Sequence, residues 1–250
     1  MRMNTTLVIN SKGGSGKTTI TTNLASYFAT QDIPTTLMDY DPQGSSLHWL
    51  RIRTWPGARI YGANAAPQKG GRIRSVEMHV PADTHQLIID APAGTSGLLL
   101  QEMLSRADGI IIPVAPSAID IHATANFVRD LLLVGRIRTR NIQVAVVANR
   151  VRSSMPVYQP LERFLNSLGL PFLTRISDSD VYVKTAEAGI GIFEMTPTAA
   201  AECADFMPIV EWVGRQQNSG ASSGEGKVVD LAHRRWMERN RTFSSIGSGT

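Results

Sequence analysis

Residues Ser11-Lys12-Gly13-Gly14-Ser15-Gly16-Lys17-Thr18-Thr19 sit between the apolar run Thr6-Leu7-Val8-Ile9-Asn10 and a helical pattern from Ile20 to Ala29. No other stretch constrains the fold as tightly. Glycines let the backbone curl until successive N–H groups face one anion, Lys17 adds a mobile cation, and the Thr18 hydroxyl suits Mg2+. The next helix presents its positive end to the same point. Strand, loop, Gly-Lys-Thr and helix come in the order that a nucleoside triphosphate site requires, so a bare glycine-rich turn is the weaker reading.

One position departs from the usual phosphate loop. The glycine expected five residues before Gly16 is Ser11, and a second lysine, Lys12, precedes the glycine pair. In this form the loop resembles the deviant Walker A motif of the ParA/MinD family of ATPases. The resemblance implies ATP and Mg2+ as ligands, with Gly13, Gly14, Ser15, Gly16, Lys17, Thr18 and Thr19 around the phosphates. It also implies an ATP-bound homodimer in which Lys12 reaches the partner's nucleotide.

Further along, Asp39-Tyr40-Asp41-Pro42-Gln43-Gly44 closes the short apolar run Thr35-Thr36-Leu37-Met38, placing polar chemistry at a strand's C-terminal end, where open α/β sheets bind ligands. The string is similar to the family's Walker A′ motif, which makes Asp41 the residue that orients the attacking water. Its alternative is an ordinary Asp-Pro turn. Gln86-Leu87-Ile88-Ile89-Asp90 is an unalternating run ended by a carboxylate, the pattern of a strand buried on both faces. By resemblance it is the Walker B strand, giving Thr18, Asp39 and Asp90 as the metal set and Ala91-Pro92-Ala93-Gly94 as the loop that senses the γ-phosphate. Lys12, Lys17 and Asp41 complete the implied catalytic set.

The remaining pattern alternates strands and helices. Strands are expected at 59–62, 109–114, 142–148 and 172–176. Helices are expected near 47–50, after Ser117, at 160–168 and 179–188, and from Thr196-Pro197 to about 215. The fold class is therefore α/β, a doubly wound and mainly parallel sheet with helices on both faces. The family resemblance spans about residues 5–215. It implies a contact of Asn149 with the adenine base and closure of Gly189–Glu194 over that base. Trp49 and Trp55 read as packing residues, and no function is assigned to residues 45–82. Residues 218–250 read as a flexible polar Gly/Ser linker and basic tail that follow the ATPase domain at 1–217.

Composition narrows the function classes. A single Cys203 excludes a disulfide framework and a cysteine-built cluster such as that of the nitrogenase iron protein, and it reads as core packing. No apolar run approaches the roughly 20 residues of a membrane span, and no leader is apparent, so the expected location is the cytoplasm. Net charge is +4, with eight arginines between Arg129 and Arg175 against Asp130 and Glu162. That concentration suggests a polyanion-binding face, with Arg136, Arg138, Arg140 and Arg152 as DNA-binding residues.

By resemblance, the chain is expected to act as a nucleoid-associated switch. The ATP dimer binds DNA without sequence preference, and an adaptor that stimulates hydrolysis couples it to a cargo. The chain starts on its first strand, which implies no operator-binding helix-turn-helix. A MinD-like membrane cycle is the alternative, resting on Val228, Leu231, Ala232 and Trp236 of the tail, a thin apolar face for interfacial binding. A small-molecule kinase is a third reading, and no acceptor pocket is visible for it.

Overall fold

The computed structural model describes residues 2–54, 57, 59–67, 74–134, 142–152, 158–195 and 197–219. Seven strands run in the order β3-β2-β4-β1-β5-β6-β7, every pairing parallel. They are β1 (Asn4–Val8), β2 (Thr35–Asp39), β3 (Ile60–Asn64), β4 (Gln86–Asp90), β5 (Gly109–Val114), β6 (Gln143–Val151) and β7 (Phe172–Ser177). The helices are α1 (Lys17–Thr30), α2 (Ser45–Ile52), α3 (Arg74–Glu77), α4 (Gly97–Arg106), α5 (Ala118–Val134), α6 (Tyr158–Ser167), α7 (Asp180–Glu187) and α8 (Ala200–Ser219). The expected doubly wound α/β fold is thus observed, and the sheet is entirely parallel.

Two apolar layers explain why the central strands read as continuous runs. Leu7, Ile9, Met38, Ile89, Ile110, Ile112 and Val146 face Leu100, Met103 and Leu104 of α4, Phe127 and Leu131 of α5, and Leu161 and Leu165 of α6. The alternate residues Val8, Leu37, Ile88, Ile111, Ala145 and Val147 face α1, α7 and α8 through Leu24, Phe28, Tyr182, Phe206 and Val210. Successive side chains point to opposite faces, so two cores require both sets to be apolar. Trp49 and Cys203 are buried in the second layer, as expected for packing residues; Trp55 lies outside the described residues.

Pro113 lies within a central strand, where a missing N–H is normally costly. Here the ladder has already ended on that side: Ile111 still accepts the Ile9 N–H, but the Pro113 carbonyl is taken by the Asn10 side chain at 2.7 Å. β1 therefore stops beside Pro113, and the loop leaves the sheet at that point.

Several boundaries differ from expectation; β6, for one, continues past Ala148 to Val151. The last helix begins at Ala200, because Pro197–Ala199 form a turn in which the Ala200 N–H reaches the Pro197 carbonyl; Thr196 lies outside the described residues. Gly189–Glu194, expected to close over a base, is buried apart from half-buried Ile190 and ends in a short 3-10 turn, Ile192–Glu194. The Asn23 carboxamide oxygen on α1 accepts the Ile192 N–H at 2.9 Å, which fixes the segment against the flank of that helix. The tail from residue 220 lies outside the described residues. Among the described residues no helix is long and apolar enough to cross a membrane.

Candidate functional site

The loop between β1 and α1 is held at both ends by asparagines. At its start, Asn10 is buried: its amide donates to Pro113 O and to Thr124 Oγ1 of α5, while its oxygen accepts the Lys12 N–H at 3.2 Å. At its end, Asn149 donates to Ser15 O at 2.8 Å from the last third of β6. Gly16 is the pivot. Its φ is 93° and a Cβ there would meet Asn149 Nδ2 at 1.8 Å, so both the conformation and the close approach demand glycine. Arg150 comes next in the left-handed region, φ 56°, at an irregularity in the β6–β7 register between Ala148 and Val151.

Asn149, the expected base contact, spends one amide hydrogen on the loop backbone. Sequence reasoning missed Asn10, whose Asx-type bond to the residue two positions on is a recognisable signal.

Gly13 and Gly14 are exposed and Ser15 is buried. Lys17 is 8% exposed and folds back to donate to Lys12 O at 2.9 Å, an acceptor it shares with the Ser15 hydroxyl. Burial lowers the Lys17 pKa, and the carboxylates of Asp90 and then Asp41 oppose that shift. The Lys12 side chain is half-buried at the loop's outer edge. Gly94, in the loop after β4, donates its N–H to Ser11 O at 2.9 Å, so this second loop is tied to the first.

The two strand-end carboxylates are neighbours, Asp39 and Asp90 being direct partners in the β2–β4 register. Asp39 is met by its own chain: Oδ1 accepts the Asp41 N–H at 2.8 Å, and Oδ2 accepts the Ser46 hydroxyl at 2.7 Å and the Leu47 N–H at 3.3 Å. It therefore shapes the turn into α2, with three of its acceptor sites already taken by its own chain. Asp41 is half-buried, with Oδ1 accepting the Gln43 N–H at 2.9 Å.

Asp90 is different. Oδ2 accepts the Thr18 hydroxyl at 2.8 Å, whereas Oδ1 is buried with no hydrogen-bond partner. Burial pushes the Asp90 pKa up to about 7, the nearby Asp39 adds to that, and Thr18 and Lys17 partly offset it. A buried carboxylate oxygen without a donor is costly unless a cation or an ordered donor meets it. Mg2+, which takes one or two protein oxygens and completes its shell with phosphate and water, fits this donor set. Among the described residues no cluster of three His, Cys, Asp or Glu side chains is placed to hold a metal by itself.

The basic residues separate. Arg152 is exposed and paired with Asp178, Nε to Oδ2 at 2.6 Å, so its charge is locally offset. Arg136, Arg138 and Arg140 lie outside the described residues.

Comparison with known proteins agrees with this geometry. The CobQ/CobB/MinD/ParA nucleotide binding domain matches residues 6–192. The chain is 27% identical over 194 residues to "Maintenance of carboxysome distribution protein A" of Halothiobacillus neapolitanus, covering 76% of this chain and 87% of that protein. In fold it is similar to an ATP complex of an McdA variant from Cyanothece, with a TM-score of 0.62, 15% identity, and coverage of 89% of this chain and 98% of that one. It is equally similar to the septum site-determining protein MinD of Pyrococcus horikoshii bound to Mg-ADP, with a TM-score of 0.62, 15% identity, and coverage of 84% and 96%. The chain belongs to the CobQ/CobB/MinD/ParA nucleotide-binding domain family.

Proposed function

We propose that this protein is a Mg2+-dependent ATPase that pairs with a second copy on binding ATP and positions a cargo along DNA. The observation that carries the chemistry is the Thr18–Asp90 pair at the mouth of the phosphate loop, with Asp90 Oδ1 left unmet. Loop amides from Gly13 to Thr19 and the Lys17 ammonium hold the phosphates, with Asn10 and Asn149 keeping the loop in shape. Thr18 and Asp90 would hold Mg2+, which would supply positive charge against that developing during transfer.

Asp41 orients the attacking water, at the end of a turn that Asp39 fixes. Its carboxylate acts electrostatically on Lys17, which supports its placement beside the phosphates. Lys12 stabilises transferred charge on the partner's nucleotide. The ATP dimer binds DNA through phosphate contacts of Arg136, Arg138 and Arg140, and an adaptor that stimulates hydrolysis releases it. Because Arg152 is already paired, it contributes less. This reading places the protein on the nucleoid in the cytoplasm. Relatedness to a carboxysome distribution protein supports a protein microcompartment as cargo, with a plasmid or chromosome region as the other choices.

The test is co-sedimentation with random-sequence DNA and with anionic vesicles, each with ATP and with ADP, for wild type, Lys12→Ala and Lys17→Ala. Pelleting of wild type with DNA only in ATP is expected. Lys12→Ala should retain ATP binding yet stay monomeric and off DNA, whereas Lys17→Ala should lose ATP itself. Pelleting with vesicles and not with DNA would replace the DNA switch with a membrane cycle.

A further inference from the structure

The Asp41 turn runs directly into α2, an eight-residue helix too short to hold its own position. Its inner end is fixed by Asp39, which accepts from both Ser46 and Leu47. Its outer end is fixed by Arg53, immediately beyond the helix, and that anchor is buried: the Arg53 and Glu194 side chains are 6% and 0% exposed. Arg53 uses both terminal nitrogens on the Glu194 carboxylate, NH1 reaching Oε2 at 2.8 Å, and NH1 also reaches Gly189 O at 3.3 Å. The guanidinium lies over the Trp49 ring, 5.3 Å from its centroid, and the indole N–H donates to Ile190 O at 3.3 Å.

Glu194 is itself immobilised, since Oε2 accepts the Gly191 N–H at 2.7 Å. Gly191 touches α1 so closely that a Cβ would meet Ser26 Oγ at 1.8 Å. One continuous path therefore joins α1, the Gly189–Glu194 segment, Arg53, α2 and the Asp41 turn. A buried ion pair of this kind adds little stability over an apolar pair of the same size. What the forked guanidinium does supply is one fixed geometry, which a lysine or an apolar side chain does not.

We propose that Arg53 is a positioning residue: paired with Glu194, it sets the seat of α2 and through it the position of the Asp41 carboxylate. The inference rests on the proposed assignment of ATP hydrolysis to Asp41. It assigns a role within residues 45–82 and to the Gly189–Glu194 segment, neither of which touches the phosphate loop directly through this pair.

The test compares wild type with Arg53→Met/Glu194→Leu, which removes both charges together, and with Glu194→Gln, a milder change should the double variant fold poorly. Amide hydrogen exchange of Asp41, Gln43 and Leu47 in the nucleotide-free protein should rise by about tenfold or more in the double variant, with α1 amides within about twofold of wild type. Turnover should show a fall in kcat of about tenfold with KM within about twofold, the split expected when the reacting geometry is lost and ground-state binding is kept. Arg53→Lys and Glu194→Gln should lie between these and wild type. Unchanged exchange at Asp41 and Leu47 after the pair is removed would overturn the proposal. Raised exchange together with no ATP turnover even in wild type would leave the latch standing and sink the assignment of hydrolysis.

Discussion

The ends of β2 and β4 lie side by side and each terminates in a buried aspartate, yet the two carboxylates have opposite fates. Asp39 faces the first turn of α2 and meets three donors from its own chain. Asp90 faces the phosphate loop, meets the Thr18 hydroxyl on one oxygen and nothing on the other. Ser46 lies near both, but its hydroxyl hydrogen goes to Asp39. The difference teaches that the segment leaving a strand decides whether its terminal carboxylate is structural or available. A helix start with open amides consumes the charge, and the Ala91-Pro92 exit, which starts no helix, does not.

The largest expected effect comes from removing the available carboxylate. Asp90→Asn should lower Mg2+-ATP turnover by about 10²–10³-fold, the scale on which loss of one transition-state charge contact is felt. In the nucleotide-free protein the same change should raise the unfolding free energy by about 1–2 kcal/mol, because a poorly met buried charge becomes a neutral amide. Steady-state kinetics and urea unfolding read the two consequences separately.

The pH dependence arises from the same group. Its folded pKa, about 7, stands above the ordinary 3.8, so the folded state holds this proton more tightly than the unfolded chain. The resulting stability is fully present below pH 3.8 and is lost as pH rises through about 7. Chemical unfolding in EDTA across this window should show that component in wild type and not in Asp90→Asn.

Asp39→Asn should act the other way, costing about 1–3 kcal/mol because the Ser46 hydroxyl and two backbone N–H groups lose a charged acceptor. ATP affinity should change far less than turnover does in the Asp90 variant. Ser46→Ala, which deletes one of the three donors, is the smallest change, about 1 kcal/mol by urea unfolding.

The phosphate loop, β1, β4 and their order were legible because local chemistry specifies them: Gly-Lys-Thr after an apolar run, and unalternating Leu87-Ile88-Ile89 before Asp90. The distinction between Asp39 and Asp90 was not legible, since both simply end apolar strands. What separates them is the segment that leaves each strand, a helix start that folds back onto Asp39 and none that does so onto Asp90. Nor was the Arg53–Glu194 pair, whose members are 141 positions apart and whose first half lies in a stretch of weak periodicity. Asn149 shows a partial reading. It was expected just past the strand, but β6 continues through it to Val151, and its contact with the loop depends on the close approach that Gly16 permits.

The measurement closest to the central claim is the Mg2+ dependence of ATP affinity by calorimetry in wild type, Asp39→Asn and Asp90→Asn. Mg2+ should tighten ATP binding by about tenfold, near 1.4 kcal/mol, in wild type and in Asp39→Asn, and should make no difference in Asp90→Asn. Loss of the Mg2+ effect in Asp39→Asn with its retention in Asp90→Asn would contradict the account.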